Sequence, residues 1–226
     1  DPETHGEIVG EMKDMLEDGG YPDYSFATVA RFRPNPSYNG LTISEINRLR
    51  ERPAEVDSEI ETILDMMVEG GEAGVSQGAS MVYHYMSIDD VDTILRYPNA
   101  AVASDGGVPE FGVGKPHPRS YGTNARVFAD YVRERNVLTL EDAVRRMTSL
   151  PARTFSFHER GIIRPGFVAD LVLFDPDAVT DTATFADPHS YSKGFDVVIV
   201  NGVVAVSGGE PTDARAGEFV RGTGAR

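Results

Sequence analysis

One change of period constrains this chain more than any other feature. Before about residue 160, short apolar runs alternate with stretches whose apolar residues recur every three or four positions; from Gly161 onward only strand-type runs remain. Strand and helix signals in alternation imply crossover connections, and so a parallel sheet or barrel. The later strands belong to a different layer.

Along the first half, residues 4–18 predict a helix with Ile8, Val9, Met12, Met15 and Leu16 on one stripe and Gly19-Gly20 as its stop. Proline and aromatics over residues 21–36, with the run 26–32, predict turns and a strand. Thr42-Ile43-Ser44-Glu45 has the form of a capping box, opening a short helix that ends before Pro53. The next helix is expected to turn Ile60, Ile63, Leu64, Met67 and Val68 inward and its acids outward.

The character changes after Gly74. Residues 80–85 predict a strand, and Ser87-Ile88-Asp89-Asp90 caps a helix to about Tyr97. Pro98-Asn99 then turns the chain into Ala100-Ala-Val-Ala-Ser104, which reads as a small-residue buried strand ending in Asp105-Gly106. A glycine- and proline-rich loop over 106–122 precedes a helix carrying Val127, Phe128, Tyr131 and Val132. Thr139-Leu140-Glu141-Asp142 caps another through Ala152. In the last part, Asp170-Leu-Val-Leu-Phe174 and Phe195-Asp-Val-Val-Ile-Val200 predict strands, and Asn201-Gly202 is a hairpin signal.

Charge narrows the partners. With 36 acidic against 21 basic residues the net charge is −15, so a phosphate backbone or an anionic membrane surface would repel the chain. No nucleic acid and no membrane partner is expected, and no apolar run approaches the roughly 20 residues of a membrane span. The absence of cysteine excludes disulfides, thiolate metal sites and a cysteine nucleophile from these 226 residues. The chain opens Asp1-Pro2-Glu3 with no methionine and no signal-peptide pattern, and reads as the middle of a longer protein. The compartment expected is the cytoplasm.

Two features carry chemistry. Asp105 ends the small-residue run and opens a glycine-rich loop, the place where βα barrels hold catalytic groups; spacing alone equally allows an aspartate that satisfies turn amides. In Lys115-Pro116-His117-Pro118-Arg119 the prolines stiffen the chain, and a guanidinium presented in this way can fork a carboxylate. An ordinary surface arginine paired with a local acid fits the same pattern. No two of His5, His84, His117, His158 and His189 fall two to four residues apart, so the three ligands of a catalytic zinc are not supplied by one local motif. Asp105 could supply one ligand, with His84 near it. There is no P-loop, nucleophile elbow or dinucleotide fingerprint.

A resemblance then emerges from five motifs in order: Ser104-Asp-Gly106, His117-Pro-Arg-Ser-Tyr-Gly-Thr123, Arg145-Arg-Met-Thr-Ser-Leu-Pro-Ala152, Gly161-Ile-Ile-Arg-Pro-Gly-Phe-Val-Ala-Asp-Leu-Val-Leu-Phe-Asp175 and Val200-Asn-Gly202. Together they resemble the C-terminal portion of the N-acyl-D-amino-acid deacylase (D-aminoacylase) family of metal-dependent amidohydrolases. The resemblance implies an α/β plus β fold: the last βα units of a TIM-like (β/α)8 barrel over 80–158, strands of a β-sandwich over 159–226, and a small insertion over 1–79. It implies zinc-dependent hydrolysis of an N-acyl-D-amino acid, with Asp105 as the catalytic and secondary metal-binding aspartate and Arg119 holding the substrate carboxylate. The main zinc ligands are expected upstream of this chain, so an N-terminal portion of the same enzyme is the expected partner. A hydantoinase- or dihydroorotase-like activity and an inactive, metal-free binding subunit are the alternatives.

Overall fold

The structure is a computed structural model describing residues 1–72 and 78–221; the change of pattern expected at Gly74 lies outside the described residues. The chain divides into two compact units.

The first unit holds Asp1–Tyr85 with the later segments Val108–His117 and Phe185–His189. Helix α1 (Pro2–Gly19) begins where the Asp1 carboxylate accepts from the amides of Glu3 and Thr4. It stops at Gly20, whose φ of 69° a residue without Cβ reaches freely. Strand β1 (Ala27–Arg31) pairs antiparallel with β2 (Ser80–Tyr83), Ala27 opposite Tyr83. Helix α2 (Ile43–Leu49) opens with the expected capping box: Glu45 N–H donates to Thr42 Oγ1, and Thr42 N–H donates to Glu45 Oε2. Helix α3 (Val56–Glu72) completes the unit. Val29, Phe32, Ile46 and Ile60 form the centre of a core that also takes in Leu16, Tyr24, Ile43 and Met66.

Two expectations for α3 fail for one reason. Met67 and Val68 are 51% and 64% exposed, while Glu59 and Thr62 are buried. Asn47 of α2 is itself buried, and its Oδ1 accepts from the hydroxyls of Ser58 and Thr62. The Glu59 carboxylate accepts from Tyr24 N–H at 2.8 Å. These polar bonds turn α3 so that Ile60, Ile63 and Met66 face inward rather than Met67 and Val68. Buried polar groups must find partners, and here the partners choose the helix face.

The second unit comprises Met86–Gly107, Pro118–Thr184 and the chain from Ser190 on. Helix α4 (Ile88–Arg96) is capped by Ser87, and α6 (Leu140–Met147) by Thr139, both as the sequence implies. Thr148 interrupts the helix expected through Ala152, so a separate α7 (Ser149–Thr154) follows. Helix α5 (Arg119–Arg126) starts inside the segment expected as loop and continues as a π-helical stretch, Val127–Glu134. Strands β3 (Leu171–Phe174), β4 (Phe195–Val200), β5 (Val203–Ser207) and β6 (Glu210–Pro211) form an antiparallel sheet in that order. Asn201 and Gly202 turn β4 into β5 with φ of 49° and 78°, as a two-residue hairpin requires.

The buried strand expected over 100–104 is not formed. Residues 101, 103 and 104 are exposed, and Val102 N–H donates to the Arg146 carbonyl at 3.2 Å. A strand is a partnership between edges, and among the described residues no strand lies beside this segment and no pair runs parallel. Among the described residues no helix is long and apolar enough to cross a membrane.

Candidate functional site

The segment leading to Asp105 is anchored by two consecutive arginines of α6. Arg146 is only 2% exposed; its Nη1 donates to the carbonyls of Tyr97 and Ala100 at 2.7 and 2.8 Å, and its Nε to Asp142 Oδ2 at 2.6 Å. Arg145 donates to the Pro98 carbonyl and, at 2.8 Å, to Asp142 Oδ1. Burial opposes the charge on Asp142, but the hydrogen bonds from Arg146 and Arg145 outweigh it and hold the carboxyl below the usual aspartate value. One carboxylate thus orders two guanidiniums, which in turn bind the turn between α4 and the residues before Asp105.

Asp105 follows with φ of 47°. Left-handed backbone is uncommon outside glycine, though aspartate tolerates it better than most, and such conformations gather at functional sites. The next amide, Gly106 N–H, donates to Ser104 Oγ at 3.2 Å. Arg119 is the first residue of α5, directly after Pro118. Its Nη2 lies 3.2 Å from Asp105 Oδ2, with the two side chains 43% and 85% exposed. The Thr123 hydroxyl donates to the Arg119 carbonyl, and Ser192 Oγ donates to the Tyr121 carbonyl at 3.0 Å, fixing the first turn of the helix.

The two residues selected from separate motifs are therefore brought together. His84 belongs to the first unit, with Nε2 3.2 Å from Thr28 Oγ1 and its ring edge-on to Phe185. His117 meets the same phenyl ring with centroids 5.0 Å apart. Lys115, the other cation of the loop, donates from its backbone to the Ala30 carbonyl and from Nζ to the Ala186 carbonyl. Among the described residues no group of three or more His, Asp or Glu side chains converges to hold a metal ion. These residues do not by themselves fit the expected zinc. Sequence reasoning used Arg145 and Arg146 only as part of a resemblance and missed their anchoring role. The signal was present in the acid three and four residues before them, on one helix face.

The Amidohydrolase family profile matches residues 36–206. Over 124 residues the chain is 46% identical to an N-acyl-D-aspartate deacylase of Alcaligenes xylosoxydans xylosoxydans, covering 55% of this chain and 24% of that protein. It is similar in structure to a D-aminoacylase that defines a novel subset of amidohydrolases, with a TM-score of 0.70 and 33% identity over 84% of this chain and 36% of the other. A further neighbour is the N-acyl-D-glutamate deacylase from Bordetella bronchiseptica complexed with zinc and a phosphonate mimic of the tetrahedral intermediate. Its TM-score is 0.67 and its identity 34%, over 83% of this chain and 37% of that one. The chain spans about a quarter of the length of the curated relative it matches.

Proposed function

Because the chain belongs to the amidohydrolase family, we propose that it is the C-terminal portion of a zinc-dependent N-acyl-D-amino-acid deacylase. In this reading residues 1–79 are a small insertion, 80–158 the last βα units of a barrel, and 159–226 strands of a β-sandwich. The zinc would be held by residues of the longer protein.

The observation that carries the reading is the 3.2 Å approach of Arg119 to Asp105. It sets a base and a carboxylate clamp side by side, as hydrolysis of an acylated amino acid needs. Arg119, with its planar fork, takes the α-carboxylate of the substrate and so fixes the nearby scissile bond. Asp105 accepts a proton from the attacking water and delivers it to the amide nitrogen as the C–N bond breaks, because an amine leaves poorly unprotonated. The products are a carboxylate and a free D-amino acid. An exposed ion pair contributes only about 0–1 kcal/mol, so the incoming carboxylate can replace Asp105 on Arg119 at little cost and release it for proton transfer.

The test compares substrates in the full-length enzyme. Losing a charge-assisted, two-point contact costs about 1.5–3 kcal/mol, roughly 10- to 150-fold in kcat/KM. Arg119→Ala should impose that loss on the free acid while leaving the matching amide or ester nearly unchanged. Equal losses on both would make Arg119 structural and remove the carboxylate clamp.

A further inference from the structure

We infer that Gly106 is a positioning residue: its bare backbone lets the Asp105 loop lie against the first turn of α5 and so sets the spacing between Asp105 and Arg119. The inference rests on the deacylase reading and names a residue which that reading does not use. A Cβ at position 106 would stand 2.9 Å from Ser120 Cα and 3.2 Å from both the Arg119 carbonyl oxygen and the Ser120 nitrogen. All three are helix backbone atoms, which cannot swing aside as a flexible side chain could. Neither Gly106 nor its neighbour Gly107 has a positive φ, so alanine is conformationally acceptable at both. At Gly107 an added Cβ would meet nothing within 4 Å. The adjacent glycine is thus a control built into the chain, with the same chemistry of substitution and no collision.

The first turn of α5 has no easy retreat. On another face, a Cβ at Gly122 would overlap the Asp181 carboxylate, whose Oδ1 accepts from Ala183 N–H at 3.0 Å. Ser192 holds the Tyr121 carbonyl. A methyl at 106 must therefore change the relation of Asp105 to Arg119 rather than slide the helix away. Misplacement by about 1 Å can cost about 100-fold in rate, and the few tenths of an ångström enforced here should cost about 10-fold.

The experiment uses the zinc-loaded, full-length enzyme with an N-acyl-D-amino acid as substrate. Gly106→Ala should lower kcat/KM about 10-fold and Gly107→Ala less than about 2-fold. In an Arg119→Ala background the Gly106→Ala loss should shrink to less than about 2-fold, because its effect runs through Arg119. A loss of the same size in both backgrounds, or the same loss for Gly107→Ala, overturns the inference. Should Gly106→Ala fail to fold, Gly122→Ala alone and with Asp181→Ala takes its place. A loss in the single variant that the double variant recovers supports the inference; no loss, or a loss the double variant keeps, overturns it. A wild-type enzyme inert toward N-acyl-D-amino acids would defeat the deacylase reading instead. Crystal structures of Gly106→Ala and Gly107→Ala then decide the positioning role: a changed Arg119–Asp105 separation only in the former sustains it, and unchanged separation in both ends it.

Discussion

The two units bury their apolar residues in different ways. In the first, three helices close over a two-stranded ribbon, and Phe32, Ile46, Ile60 and Val29 are withdrawn from water. In the second, the sheet β3–β6 leaves Val172, Leu173, Val203 and Val204 exposed, and Ile163 nearby is 91% exposed. It buries a core of its own, in which Val127, Phe128, Leu138 and Val179 meet Phe174 and Phe195 of the sheet, adds the polar anchors Arg146 and Asp142, and carries the Asp105–Arg119 pair. The difference teaches that an apolar strand pattern states a demand for cover without supplying it. Burial requires a second layer, and a few helices can supply that for a ribbon within a short stretch of chain.

The largest expected effect is chemical and confined to the second unit. Asp105→Asn preserves shape and tolerance of the left-handed backbone but removes the proposed proton acceptor, so kcat should fall about 10²–10⁴-fold. The melting temperature should stay within a degree or two of wild type, on the order of what a neutral surface change gives. Steady-state kinetics with calorimetry checks this; near-normal turnover would take Asp105 out of the mechanism.

Next come two substitutions that set the units against each other. Phe32→Ala in the first unit should cost about 3–5 kcal/mol by denaturant unfolding, the usual range for emptying a packed aromatic site. Arg146→Ala should cost about 2–4 kcal/mol, because it leaves the Tyr97 and Ala100 carbonyls without their donor. An Arg146→Ala cost under about 0.5 kcal/mol, the size of a neutral surface change, would mean that polar anchoring does not hold the second unit.

A smaller effect depends on pH. Asp142 has its pKa lowered in the folded protein, so its contribution is present above the unfolded aspartate value of about 3.9 and is lost as pH falls through the folded value. Asp142→Asn should therefore be less stable than wild type at neutral pH, with the gap closing below about pH 4. A gap independent of pH would show that the carboxylate's charge is not what binds the two arginines.

The smallest effect sharpens the comparison most. Leu173→Ser on the exposed sheet should change the stability of the 226-residue chain by no more than about 0.5 kcal/mol. The same substitution costing clearly more in the full-length enzyme would show that another layer covers this face there.

What the sequence determined by itself was local. Asp1, Thr42, Ser87 and Thr139 start helices where their side chains can reach an amide two or three residues on. Asn201-Gly202 turns a hairpin because both residues accept positive φ. Each of these segments carries its own hydrogen-bond partners, so no distant residue is needed to read it. The Asp105 and Arg119 motifs were legible as residue types, but their approach was not. Tertiary structure alone decided that, along with the inward turn of Glu59, the burial of Arg146 and the unpaired course of residues 100–104. In the first three the partner lies far along the chain, and among the described residues no strand stands beside residues 100–104. Propensity and period describe what a segment can do; burial and pairing depend on which other segment arrives beside it.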